Sequence, residues 1–77
     1  MPPTTTASEL VVQVRAEMAR QGLTLRELAT RLGLPYATLR YRFESSTALR
    51  MRDLSDIAQV LQVPLSQLVE RAERNAA

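Results

Sequence analysis

With 77 residues, 45% of them hydrophobic, the chain is long enough for one folded core and too short for two. It has no cysteine and no histidine, which removes disulfides, thiolate metal sites, the commonest metal ligand and the commonest general base. The net charge of +2 is unevenly spread: residues 23–52 hold six arginines against two glutamates, a balance of +4, and the remainder balances at −2.

In chain order, residues 1–5 (MPPTT) carry two prolines and no apolar pattern, and are expected to form a disordered arm. A helix begins near Thr6, which has capping-box spacing to Glu9, or at Ser8, an equally good N-cap. Leu10, Val11, Val14 and Met18 form its apolar stripe, and Gly22 ends it. Thr24-Leu25-Arg26-Glu27 is a second capping box, opening a helix whose inward face is Leu25, Leu28, Ala29 and Leu32. Gly33 ends that helix and Pro35 suits the start of a third.

The third helix places Leu39 and Phe43 inward and Ala37, Arg40, Tyr41 and Glu44 outward. Ser45-Ser46-Thr47 breaks the pattern. A fourth helix is predicted at about 51–62, with Leu54, Ile57, Ala58 and Leu61 inward, and a fifth after Pro64, with Leu65, Leu68 and Val69 as its apolar side. β-Branched residues never alternate over a useful length, so no strand is predicted. The fold class is all-α: five short helices in one domain over 6–74, with 75–77 as a disordered tail. Arg71 and Arg74 alternate with Glu70 and Glu73 and read as solvated charge, while Asp53 and Asp56 favour a helix start rather than forming a catalytic pair.

The second and third helices, joined by a tight glycine turn across 24–44, have the form of a helix-turn-helix. Ala29 is small where the next helix crosses, Gly33 supplies the left-handed turn, and Leu39 fills the angle between the helices. Positive charge concentrated on residues 23–52, which include this pair, is the electrostatic footprint of a polyanion partner. All ten basic residues are arginine, which reflects either a GC-rich genome or a preference for bidentate phosphate contacts.

The stretches "GLTLRELATRLGL", "TLRYRF" and "DLSDIAQVLQVPLSQLV" resemble the phage-repressor helix-turn-helix family of lambda-repressor-like and Cro-like regulators. The resemblance implies a compact five-helix lambda-repressor-like domain and a sequence-specific, double-stranded-DNA-binding transcriptional regulator of phage or prophage type. Its recognition helix, about 36–44, would lie in the major groove. It places Tyr36, Ala37, Arg40 and Tyr41 against base edges. The backbone contacts it implies are Thr24, Leu25 (through its backbone N–H alone), Arg26, Thr38, Arg42, Thr47, Arg50 and Arg52.

The chain departs from the family pattern at four places. Tyr36 and Ala37 stand where polar amides are common, Leu25 where glutamine often contacts phosphate, and Arg42 where leucine is frequent. Met18 and Phe43 replace an arginine–glutamate ion pair, and are expected to touch. For Arg40, Tyr41, Arg50 and Arg52 the competing reading is a solvated surface side chain, and for Tyr36 partial burial.

Such domains usually act as dimers on half-sites, so a weak homodimer through residues 63–74, formed either free or only on DNA, is expected, with Val63, Leu65, Leu68 and Val69 as candidate contacts. The alternative function is a protein-interaction module on the same fold, an antitoxin or host-protein inhibitor. No enzyme activity, cofactor, metal or small-molecule ligand is expected. With no signal peptide and no apolar run near the ~18 residues that cross a bilayer, a cytoplasmic location is expected, at the nucleoid when DNA is bound.

Overall fold

The computed structural model describes residues 7–45 and 48–76. Within them the chain forms α1 (Ala7–Gln21), α2 (Leu25–Leu32), α3 (Tyr36–Glu44), α4 (Met51–Leu61) and α5 (Leu65–Ala76), and no strand. The expected arm, the Thr6 cap, Ser46 and Thr47 lie outside the described residues. Ser8 falls inside the first turn of α1 rather than at its cap, and α5 runs on to Ala76, past the boundary expected at 74.

The inward stripes meet in one core. Leu10, Val11, Val14 and Met18 of α1 are buried, and α1 packs against α5 and α4. The middle of the domain is α4, whose Leu54, Ile57, Ala58 and Leu61 are buried while the helix packs against α1, α2 and α5. Each such leucine or isoleucine contributes about 1.5–3 kcal/mol relative to an exposed position. Packing on α2 buries Leu39 and Phe43 of α3 and leaves the opposite face of that helix open.

Three of the connections are short because α1, α2 and α4 close in the same way. The residue after α1 is Gly22 at φ +67, after α2 Gly33 at φ +71, and after α4 Gln62 at φ +58. The next residue's N–H then donates back to a carbonyl of the last turn: Leu23 to Met18, Leu34 to Ala29, Val63 to Ala58, over 2.9–3.1 Å. This closure satisfies carbonyls that the helix end would otherwise orphan. Glycine adopts the left-handed conformation without strain, and Gln62 does not.

Two sequence expectations about α5 are corrected by the packing. Leu68 is completely buried in the core, as is Ala72, so it offers no surface to a second copy. Val63, Leu65 and Val69 are half-buried against that core. Arg71 is not a solvated charge: its Nη1 donates to Glu17 Oε1 of α1 at 2.8 Å. Glu17 also accepts from Arg20 at 2.9 Å and from Gln21 at 3.1 Å, and Gln21 donates in turn to the Leu61 carbonyl that ends α4 at 2.8 Å. Arg71 foremost, then Gln21 and Arg20, hold the Glu17 carboxyl down to about 2 from an ordinary 4.5. One buried carboxylate thus ties α1, α4 and α5 together.

Candidate nucleic-acid interface

The first half of the site is the start of α2. Thr24 is the N-cap, and the expected capping box is present: Glu27 N–H donates to Thr24 Oγ1, and Thr24 N–H donates to Glu27 Oε1, each at 3.1 Å. The Thr24 hydroxyl also donates to Glu27 Oε1 at 2.9 Å, so its single proton is committed within the helix. These bonds, the backbone N–H of Thr24 first, lower the Glu27 carboxyl below its usual range. The Leu25 side chain packs half-buried against the core. The N–H groups of Leu25 and Arg26 belong to the first turn, where no intrahelical acceptor exists.

Arg26 joins this helix start to the next. Its guanidinium carbon lies 4.1 Å from the centre of the Tyr36 ring, a cation–π stack between the first turns of α2 and α3. Between them, Gly33 turns the chain, Leu34 sinks half-way into the core, and Pro35, as N-cap at φ −60, accepts from both Thr38 and Leu39. Proline thus occupies the cap itself, one residue before the expected first helical position.

Along α3 the two faces separate as the spacing predicted. Leu39 and Phe43 are buried, and Ala37, Arg40, Tyr41 and Glu44 are exposed, Tyr41 at 62%. Tyr36 is half-buried under Arg26, and Thr38 half-buried on the flank. Arg40 Nε donates to Glu44 Oε1 at 3.0 Å, a pair open to solvent on both sides that raises the pKa of Arg40 and leaves its Nη donors uncommitted.

Arg42 turns away from this stripe towards α4, where its Nη1 meets Asp53 Oδ1 at 3.1 Å. Asp53 also caps α4, accepting from the N–H of Arg50 at 3.0 Å. Arg50 and Arg52 are exposed, and neither forms an ion pair among the described residues. A further cation was not foreseen: Arg15 of α1 stands 5.2 Å above the Phe43 ring, its charge brought beside α3 from outside the basic middle segment.

The structure therefore gathers Arg26, Tyr36, Ala37, Arg40 and Tyr41 along the starts of α2 and the outer face of α3, and sets Arg42, Arg50 and Arg52 around the start of α4. Among the described residues no group of acidic side chains could hold a metal ion, and no helix is long and apolar enough to cross a membrane.

Two helices at a glycine turn, the second exposing an arginine–tyrosine face, define a helix-turn-helix domain. A family model described as helix-turn-helix matches residues 14–68, and the chain belongs to this family, that of the lambda repressor and Cro. Its domains bind double-stranded DNA and serve regulation rather than catalysis. No curated protein and no solved structure matches the chain.

Proposed function

We propose that the chain is a sequence-specific transcriptional regulator of the phage repressor or Cro type, acting in the cytoplasm on duplex DNA with α3 in the major groove. The observation that carries this reading is the open face of α3. Ala37, Arg40 and Tyr41 are presented together on a helix whose other side is locked into the core by Leu39 and Phe43. Arginine fits guanine bidentately, and alanine or a tyrosine ring suits a thymine methyl. Tyr36 stands at the helix start, where side chains enter the groove first. Backbone grip falls to the first-turn N–H groups of Leu25 and Arg26, to Thr38 on the flank, and to Arg26, Arg42, Arg50 and Arg52. Val63, Leu65 and Val69 supply the contact between two copies on one operator.

Selection of bound sequences from a random duplex library, followed by gel shifts at rising salt, tests the proposal. A shared palindromic site, bound with an affinity that falls steeply between about 50 and 200 mM salt, is the expected result. No enrichment over input would overturn it and favour the protein-interaction reading.

A further inference from the structure

Outside residues 23–52 the basic side chains are Arg15 and Arg20 in α1 and Arg71 and Arg74 in α5. Arg20 and Arg71 meet Glu17, and Arg74 meets Glu70. Arg15 alone of the four forms no ion pair among the described residues. It is exposed, and its guanidinium carbon is held 5.2 Å from the centre of the Phe43 ring in α3. The one arginine that α1 and α5 leave unpaired is thus carried to the helix-turn-helix.

Two more arginines share that flank of α3. At about 100° per residue, Tyr36, Arg40 and Phe43 fall within roughly 60° of one another around the helix. At a rise of about 1.5 Å per residue they span about 10 Å of its length. Arg26 stacks on Tyr36 at one end, 4.1 Å from the ring centre, and Arg15 on Phe43 at the other. Arg40 stands between them, and its neighbour Glu44 is already engaged by it at 3.0 Å. Arg42 leaves the helix about 100° or more away, where it meets Asp53.

We propose that Arg26, Arg40 and Arg15, drawn from three helices, form one cationic ridge that seats a single DNA strand, with Arg15 as a phosphate contact beside the last turn of α3. Stacking occupies the face of a guanidinium and leaves its N–H donors, which lie in the plane, for phosphate oxygens. It also holds a long side chain in place before DNA arrives, so less rotamer freedom is lost on binding. Charges set in a row suit a polyanion, whereas a single carboxylate would need them to converge on one point. Arg26 and Arg15 then grip the backbone on either side of the base pair that Arg40 reads. This assignment rests on the proposed DNA-binding function and adds to it a contact from α1.

Binding of the full chain to a labelled random-sequence duplex, followed by fluorescence anisotropy across a salt series, tests Arg15. Arg15→Met keeps an unbranched stem over Phe43 and removes the charge. It should reduce the salt slope by about 0.9 and leave the melting temperature nearly unchanged. Arg15→Lys should restore most of the slope. Arg74→Ala removes the same charge from a pair with Glu70 and should leave the slope as it is, which separates a local contact from net charge. In the unaltered chain, the Nε–Hε NMR signals of Arg15, Arg26 and Arg40 should shift on addition of duplex while that of Arg74 stays. This second readout does not depend on a variant that folds. An unmoved Arg15 signal, an unchanged slope in Arg15→Met, or an equal fall in Arg74→Ala would each take Arg15 out of the interface. A chain that binds no duplex at all would overturn the DNA reading and the ridge with it.

Discussion

Arg71 on α5 donates to the Glu17 carboxylate on α1 across 2.8 Å, although the two residues are 54 positions apart. The carboxyl is held at about 2 against 4.5 for the free group. A depressed folded-state value means that ionised Glu17 stabilises the fold above pH 4.5 and that this stability drains away as pH falls towards 2. A shift of this size corresponds to on the order of 3 kcal/mol before solvent screening is discounted.

Glu17→Gln should therefore lower the melting temperature clearly at neutral pH. The gap to the parent should close between pH 4.5 and 2, the window set by the two carboxyl values. Thermal melts of both proteins across that range check it. A gap that stays constant down to the acid limit would show that the charge of Glu17 is not what α5 holds.

Gln62→Gly should stabilise the domain. Position 62 sits at φ +58, where a side chain is strained and glycine is not. Relief of that strain exceeds the extra entropy that glycine loses on folding, and the expected gain is about 0.5–1 kcal/mol. For a chain of this size that raises the melting temperature by a few degrees, about 4–8 °C per kcal/mol. An unchanged or lower melting point would show that the strain is compensated locally.

The contrast between these positions explains what the sequence made legible. Gly22 and Gly33 announced helix ends because glycine is the residue that this turn favours; Gln62 makes the same turn and carries no such mark. The core stripes were legible because Leu10, Val14 and Met18, or Leu54, Ile57, Ala58 and Leu61, repeat at helical spacing. Gln13 and Glu17 are buried as well. With Gln21 they recur every fourth residue beside the apolar stripe of α1, a local hint that polar residues share its buried flank. Their partners carried no local signal: Arg71 and Leu61 reach Glu17 and Gln21 only through the fold. The outward face of α3 was legible from periodicity. The pairings of Arg42 with Asp53, Arg26 with Tyr36 and Arg15 with Phe43 depend on how helices cross, which no single helix encodes.

Phe43→Ala should unfold the domain. The ring is 6% exposed, sits at the last turn of α3 and carries Arg15 above it. Truncating a buried phenylalanine costs about 3–5 kcal/mol, a large share of the stability that a small domain holds. Loss of the helical circular-dichroism signal at 25 °C is the expected result. A variant that melts normally would place the ring outside the core.

Arg50 and Arg52 carry exposed charges outside any ion pair among the described residues, so a phosphate that meets them displaces only water and counterions. Each alanine substitution should lower the salt dependence of DNA binding by about one unit of slope and leave sequence preference intact. Arg42 should behave differently, because its charge is already shared with Asp53 at 3.1 Å. Its removal should alter the slope less and the melting temperature more. Gel shifts across a salt series measure the slopes. An unchanged slope after replacing both Arg50 and Arg52 would take them out of the interface.

Arg40 and Glu44 form the one ion pair on the outer face of α3 among the described residues, each side chain 59% exposed. A pair this open is screened by solvent and weak enough for a guanine to displace the carboxylate. The guanidinium keeps its Nη donors free, which permits the bidentate contact to guanine O6 and N7. Arg40→Ala should then cost about 1–3 kcal/mol on the selected site, relax preference at one base pair, and barely change binding to random duplex. Glu44→Gln should act in the opposite sense: it removes a negative charge from the DNA-facing side and strengthens binding to both kinds of DNA while base preference stays. Competition binding with single-base variants of the selected site separates the two effects. An equal loss on selected and random DNA in Arg40→Ala would make Arg40 a phosphate contact, and base reading would then fall to Tyr36, Ala37 and Tyr41.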